Sequence, residues 1–98
     1  MEFLPAYGKW DGSMIVLLYF DWTGSWNELK DLNEKIRKSC DQTGVVHKGL
    51  FGPMNVKWNF VWIFESESYE KFLEMAKHTY RHPKMPYHVA EILMPQNV

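Results

Sequence analysis

Two stretches of the chain are apolar at nearly every position. The first covers residues 14–20 and continues to Asp21 and Trp22, and the second covers residues 58–64. Side chains of a β-strand point alternately to opposite faces of a sheet, so a strand with one face in water should alternate between apolar and polar residues. Neither stretch alternates in this way. We therefore predict that both are central strands covered on both faces.

The first helix is predicted between residues 25 and 44. Ser25 and Glu28 form a capping-box pattern, and Gly44 stands where a C-terminal cap glycine belongs. The residues that keep helical spacing along one stripe are Trp26, Leu29, Leu32, Asn33, Ile36 and Cys40.

The second helix is predicted after residue 64. Ser66 or Ser68 can cap its first turn, and the helix must stop before Pro83, because the residue before a proline avoids the helical region. The predicted apolar stripe consists of Tyr69, Phe72, Leu73, Ala76 and Tyr80.

Two weaker strands complete the set, at residues 45–51 and 87–94. Gly49 indicates a bulge in the former, which has the lysine and glycine content of an edge strand. The resulting order, β-α-β-β-α-β, is ferredoxin-like: an α+β sandwich with an antiparallel four-stranded sheet and two helices on one face. We expect one domain over residues 13–95, an N-terminal arm at 1–12 and a tail at 96–98.

Composition and charge indicate which partners and which cellular compartment to expect. The net charge of −1 and the lack of a basic block argue against nucleic acid or an anionic membrane as the main partner. The one cysteine, Cys40, falls on the apolar stripe of the first helix and is expected to be buried and structural. A single cysteine cannot form an internal disulfide, and the first residues lack a signal-peptide pattern, so we expect a cytoplasmic protein.

An open sheet face needs a cover, because helices on one side leave the other exposed. We assign the aromatic row to this open face and predict that it is a dimer interface. The row consists of Trp58, Phe60, Trp62 and Phe64. An apolar patch of this kind is unusual on the surface of a monomer.

The segment Val-Trp-Ile-Phe-Glu-Ser-Glu-Ser-Tyr-Glu-Lys-Phe-Leu at 61–73, with the element order, resembles the dimeric α+β barrel superfamily. That superfamily includes antibiotic-biosynthesis-type monooxygenases and GYD-like domains, and the resemblance spans roughly residues 13 to 95. It implies a homodimer in which two sheets face each other and each subunit holds a ligand between its sheet and helices.

Candidate chemistry is sparse. Asp21, His47 and His88 are the candidate catalytic residues, since a carboxylate at a strand end and two imidazoles on edge strands could exchange protons. The candidate ligand-binding residues are Trp22, Trp26, Trp62, Phe72 and Tyr87.

No cofactor or metal is expected. His78 and His82 have the i, i+4 spacing of metal ligands, but zinc needs three or four converging ligands and no carboxylate stands between them. Some haem-degrading and cofactor-free monooxygenases of the superfamily use an asparagine on the first strand with a tryptophan and a histidine on the second helix. The corresponding positions here are Asp21 and Phe72, which argues against haem cleavage.

Three functions follow from these observations. The first is a homodimeric module that binds a small apolar or aromatic molecule between sheet and helices. The second is a cofactor-independent monooxygenase or isomerase. The third is an open-sheet module that binds RNA or protein, although residues 57–64 lack the glycines of the RNA-recognition signature.

Overall fold

Strands and helices alternate in the order β-α-β-β-α-β in the computed structural model, which describes residues 13–53, 59–77 and 82–96. The elements are β1 (Met14–Phe20), α1 (Trp26–Thr43), β2 (Val46–Phe51), β3 (Phe60–Ser66), α2 (Tyr69–Ala76) and β4 (His88–Leu93). Trp58 and the predicted N-terminal arm lie outside the described residues.

The four strands form one antiparallel sheet in the order β2-β3-β1-β4. The two strands that are apolar on both faces, β1 and β3, are therefore central, as predicted. Both helices pack on the same face, since buried residues of α1 and α2 share one core with the sheet. The predicted ferredoxin-like fold is confirmed.

The predicted ends of α1 are also confirmed. Ser25 Oγ accepts a hydrogen bond from the Glu28 backbone N–H at 3.1 Å, and Glu28 Oε1 accepts one from the Ser25 N–H at 2.8 Å. At the other end Gly44 has φ of 79°, a left-handed conformation that glycine adopts without strain, and its N–H donates to the Cys40 carbonyl at 2.9 Å. The bulge in β2 lies between His47 and Gly49.

The assignment of the aromatic row to the open face is wrong for its three described members. Trp62 and Phe64 have no accessible surface, and Phe60 packs against the same core beneath the helices. The core of buried residues comprises Val16, Leu18, Phe20, Leu29, Leu32, Ile36, Cys40, Val45, Trp62, Phe64, Phe72, Met75, Ala76 and Met85. The bulky rings fill the deep space between sheet and helices, and the slimmer aliphatic residues of β3 face the other way.

The face that α2 buries differs in part from the predicted stripe. Phe72 and Ala76 are buried as expected, but Met75 joins them, whereas Tyr69 and Leu73 are exposed. Positions i, i+3 and i+4 lie on one side of a helix, so Phe72, Met75 and Ala76 define its inner face. Tyr80 lies outside the described residues, and so does part of the predicted continuation of the helix toward Pro83.

Neither helix in the described part of the chain is long and apolar enough to cross a membrane.

Candidate functional site

The open face of the sheet is built from the odd-numbered residues of β1, β3 and β4 and from the outward positions of β2. The strand register arranges them in three transverse rows, each running from β4 through β1 and β3 to β2. The rows are Leu93–Ile15–Glu65–Val46, Glu91–Leu17–Ile63–Gly49 and Val89–Tyr19–Val61–Phe51. Nine of these twelve positions carry an aliphatic or aromatic side chain, so the face is predominantly apolar.

The two edges of the face are its most exposed part. The four apolar edge residues are Val46, Phe51, Val89 and Leu93, and each exposes between 41 % and 51 % of its surface. The three rows connect these exposed side chains through the apolar residues of β1 and β3, so they belong to one patch rather than being isolated surface residues.

Among the described residues of the sheet, three charged side chains lie on the open face. Lys48, at the β2 bulge, forms an ion pair of 3.8 Å with Glu65 of β3. Glu91 lies on β4, in the same row as Gly49, the residue after Lys48. A cation therefore stands at one edge of the face and a carboxylate at the opposite edge.

A polar network lies on the other side of the sheet, between the sheet and α1. Asn33 Oδ1 accepts hydrogen bonds from Trp62 Nε1 and from His47 Nε2, both at 2.9 Å. An indole N–H can only donate, so the shared amide atom is the oxygen, and His47 must carry its proton on Nε2. Burial of the imidazole lowers the pKa of His47 below its ordinary value, and the nearby Arg37 guanidinium acts in the same direction.

A surface cleft of about 400 Å³ lies beside this network, between the end of α1 and the start of β2. Its lining residues are Arg37, Cys40, Asp41, Gly44, Val45, Val46 and His47. Cys40 is buried as predicted, and this burial raises the pKa of its thiol to about 12, so the thiol is not a nucleophile at neutral pH. Arg37 forms an ion pair of 2.9 Å with Glu34, one helical turn away.

Asp21 forms hydrogen bonds that stabilise the sheet just beyond the C-terminal end of β1. Its Oδ1 accepts a hydrogen bond from the Asn59 backbone N–H at 3.3 Å, and Asn59 Oδ1 in turn accepts one from the Trp22 N–H at 3.1 Å. The Asp21 N–H donates to the Tyr87 carbonyl at 3.0 Å. These reciprocal bonds fasten the end of β1 to the segments that precede β3 and β4.

The three candidate catalytic residues do not converge. His47 pairs with Phe64 at one end of β3, whereas His88 pairs with Phe20 at the other end of β1. The two imidazoles stand on opposite edge strands, separated by three strand spacings (roughly 14 Å) across the sheet and by a further four residues along the strands. Asp21 directly follows Phe20, the residue that pairs with His88. Its carboxylate, however, accepts a hydrogen bond from the Asn59 backbone N–H.

The candidate ligand-binding residues do not share one pocket either. Trp62 and Phe72 have no accessible surface and belong to the core. Trp22 is half-buried, with its ring centroid 5.0 Å from that of His82, and its Nε1–H donates to the Ser25 carbonyl. Trp26 and Tyr87 are largely exposed.

Asn33 is at the centre of the polar network and Arg37 lines the cleft. The sequence did not indicate either of them as a site residue. One signal was present: Asn33 is the one polar side chain in the apolar stripe of α1, and a buried amide requires partners. Arg37 lay among ordinary surface charges of a helix and gave no such signal.

No group of three or more His, Cys, Asp or Glu side chains within residues 13–53, 59–77 and 82–96 is placed to hold a metal ion. The sequence matches no protein-family model and no curated protein.

Proposed function

We propose that the protein functions as a homodimeric binding module in which two copies pack through their open sheet faces. The observation that carries the proposal is the three-row apolar face, with nine aliphatic or aromatic side chains in twelve positions. Two sheets that pack face to face bury apolar surface about 10 Å apart, as the inner faces of a β-sandwich do. The likeness to dimeric α+β barrels supports the same arrangement.

A second copy suits this face better than another protein would, because the face is self-complementary. A twofold interface uses the same patch on both subunits, so each part of the patch must tolerate its symmetry mate. Here the central residues Leu17 and Ile63 are aliphatic, and both edges carry exposed apolar side chains. A twofold axis therefore places most of the apolar surface of one copy against apolar surface of the other, and the few charged positions distinguish between possible axes.

The test is the solution mass by light scattering of Leu17→Glu beside the unaltered protein. Leu17 lies in the middle row on the central strand β1, so a carboxylate there would be buried without a partner in the dimer. We expect the unaltered protein to show close to twice the 11.7 kDa of one chain and the variant to show one chain.

Leu73→Glu is the matched control, because it makes the same change at an exposed site on α2, away from the open face. It should remain dimeric. A monomeric unaltered protein at all accessible concentrations would refute the homodimer, as would a Leu17→Glu variant that folds and still dimerises.

A second role is supported by the cleft beside His47. Its volume of about 400 Å³ lies in the range of small-molecule sites, and it combines an apolar wall at Cys40 and Val45 with a guanidinium at Arg37. We propose that this cleft, rather than the filled space under the helices, binds a small molecule with an apolar body and an anionic group.

Benzoate is a suitable probe, since it combines an aromatic ring with a carboxylate. Titration followed by two-dimensional NMR should move the backbone signals of Gly44 and Val45 and the Trp62 indole signal. Arg37→Gln should weaken these shifts, whereas Lys30→Gln, an exposed substitution elsewhere on α1, should not. Shifts spread evenly over the protein, or equal in the Arg37 variant, would contradict a site in the cleft.

The RNA-binding alternative rested on stacking aromatics on the open face. The described aromatic residues of β3 lie in the core instead, so this observation no longer favours RNA.

A further inference from the structure

We infer that the twofold axis of the homodimer runs along the strands, so that β2 of one subunit faces β4 of its partner and Lys48 faces Glu91 of the second copy. This inference rests on the proposed homodimer and specifies its geometry. It follows from the positions of the charges on the open face, which distinguish between the two ways of stacking identical sheets.

A twofold axis that relates two stacked sheets lies in the plane between them. If the axis runs along the strands, each row stays at its own level and the two edges exchange. The β2 edge then meets the β4 edge, so Val46 faces Leu93 and Phe51 faces Val89 across the interface. At the level of the middle row, Lys48 of each copy faces Glu91 of the other, so this contact occurs once at each edge of the dimer.

If the axis instead runs across the strands, each edge meets its own copy. Apolar residues still meet apolar residues, since Val46 would face Phe51. Like charges, however, would face each other: Lys48 would face Lys48 and Glu91 would face Glu91. Like charges held across a partly desolvated interface are unfavourable, whereas opposite charges set the register and orientation of a complex.

The ion pair between Lys48 and Glu65 is compatible with the first arrangement. At 3.8 Å it is a loose contact, and 48 % of the Lys48 side chain is exposed. The ammonium can therefore interact with Glu65 of its own subunit and with a second carboxylate from the partner. In the second arrangement both lysines and both Glu91 side chains would lack opposite charges across the interface.

Cross-linking tests the orientation without relying on interaction energies. The variants are Lys48→Cys, Glu91→Cys and the double variant, each treated with a short bis-maleimide. Cys40 is buried, so the introduced thiols are the ones that the reagent reaches. We expect a cross-linked dimer from the double variant and none from either single variant. Identical edges of the two subunits then lie roughly 14 Å apart across the sheets, in addition to the separation of about 10 Å between the sheets.

Charge reversal provides an independent readout. Lys48→Glu and Glu91→Lys should each raise the dissociation constant of the dimer roughly tenfold, since each creates two like-charge contacts, and the double reversal should return it to within about threefold. Lys38→Glu, an exposed reversal on α1, serves as the control and should leave the constant unchanged.

The possible failures are distinguishable. A protein that shows the mass of one chain refutes the homodimer itself. A protein that is dimeric, but in which a single cysteine variant cross-links to itself or the double variant does not cross-link, retains the homodimer and overturns the orientation. Single charge reversals that leave the dissociation constant unchanged also overturn it, because reversal is neutral when each charge faces its own copy.

Discussion

The indole Nε1–H of Trp62 donates a hydrogen bond of 2.9 Å to Oδ1 of Asn33, joining the middle of β3 to the middle of α1 through the core. The same oxygen accepts the Nε2–H of His47 from the edge strand β2. One amide oxygen thus satisfies two donors from two strands. This arrangement fixes how α1 sits on the sheet, since a shift of the helix would leave both donors without their acceptor.

The first prediction concerns this oxygen. Asn33→Ala should lower the free energy of unfolding by about 2–3 kcal/mol, because it leaves the indole N–H of Trp62 buried without an acceptor and weakens the hold on His47. Urea denaturation followed by tryptophan fluorescence measures the change. The matched control is Asn27→Ala, at an exposed position of α1, which should change stability by less than about 0.5 kcal/mol.

A double-mutant cycle separates the hydrogen bond from the loss of helix packing. Trp62→Phe removes the indole donor, so in that background Asn33→Ala should be less costly than in the unaltered protein. Equal costs in the two backgrounds would show that the bond between Asn33 and Trp62 contributes nothing to stability.

The second prediction is a pH dependence that arises from His47. Burial lowers the pKa of its imidazole in the folded protein, whereas in the unfolded chain it returns to about 6.5. Between the two values the unfolded chain binds more protons, so stability rises with pH through this window. The contribution is fully present above about pH 6.5 and is lost as the pH falls toward the lowered pKa of the folded protein.

His47→Gln provides the check, because glutamine can still donate an N–H to Asn33 Oδ1 but does not titrate. We expect urea midpoints measured between pH 5 and pH 8 to rise less steeply with pH in this variant than in the unaltered protein. Identical slopes would mean that His47 titrates in the folded protein as it does in the unfolded chain.

The third prediction concerns the start of α1. Ser25→Ala removes the acceptor for the Glu28 N–H and should cost about 1 kcal/mol of stability, as measured by urea denaturation. Ser25→Asp keeps an acceptor oxygen at this position and should restore most of the loss. If the alanine and aspartate variants were equally stable, the cap would make no contribution to stability.

The sequence predicted the features that depend on neighbouring residues. The capping box at Ser25 and Glu28 and the C-terminal cap at Gly44 are local features, and the structure contains both. The central position of β1 and β3 also follows from local composition, because a strand apolar on both faces has to be covered on both. Each of these features can be inferred without knowing which distant residues come into contact.

The face occupied by Trp62 could not be predicted in the same way. Alternation assigns a strand to a face only when one set of side chains is polar, and β3 is apolar in both sets. The outcome depends on volume: the space beneath two helices holds rings such as Trp62 and Phe64, and the flat outer face carries Val61 and Ile63.

The same limit applied to the polar network and the cleft. Asn33 was visible as a polar residue in an apolar stripe, but its partner Trp62 is 29 residues away in the chain. Their contact depends on how α1 crosses the sheet, which short-range patterns do not encode.

The fourth prediction uses Cys40 as a probe of how α1 and β2 separate. The thiol is buried, which raises its pKa to about 12, so very few of these thiols are ionised at pH 8 even before access is considered. A disulfide reagent should therefore modify the folded protein slowly and the urea-unfolded protein within seconds to minutes. Cys40→Ala combined with Gln42→Cys moves the thiol to an exposed position of the same helix and should react at the unfolded rate under native conditions. Fast modification of Cys40 in the folded protein would show that the end of α1 opens readily from the sheet.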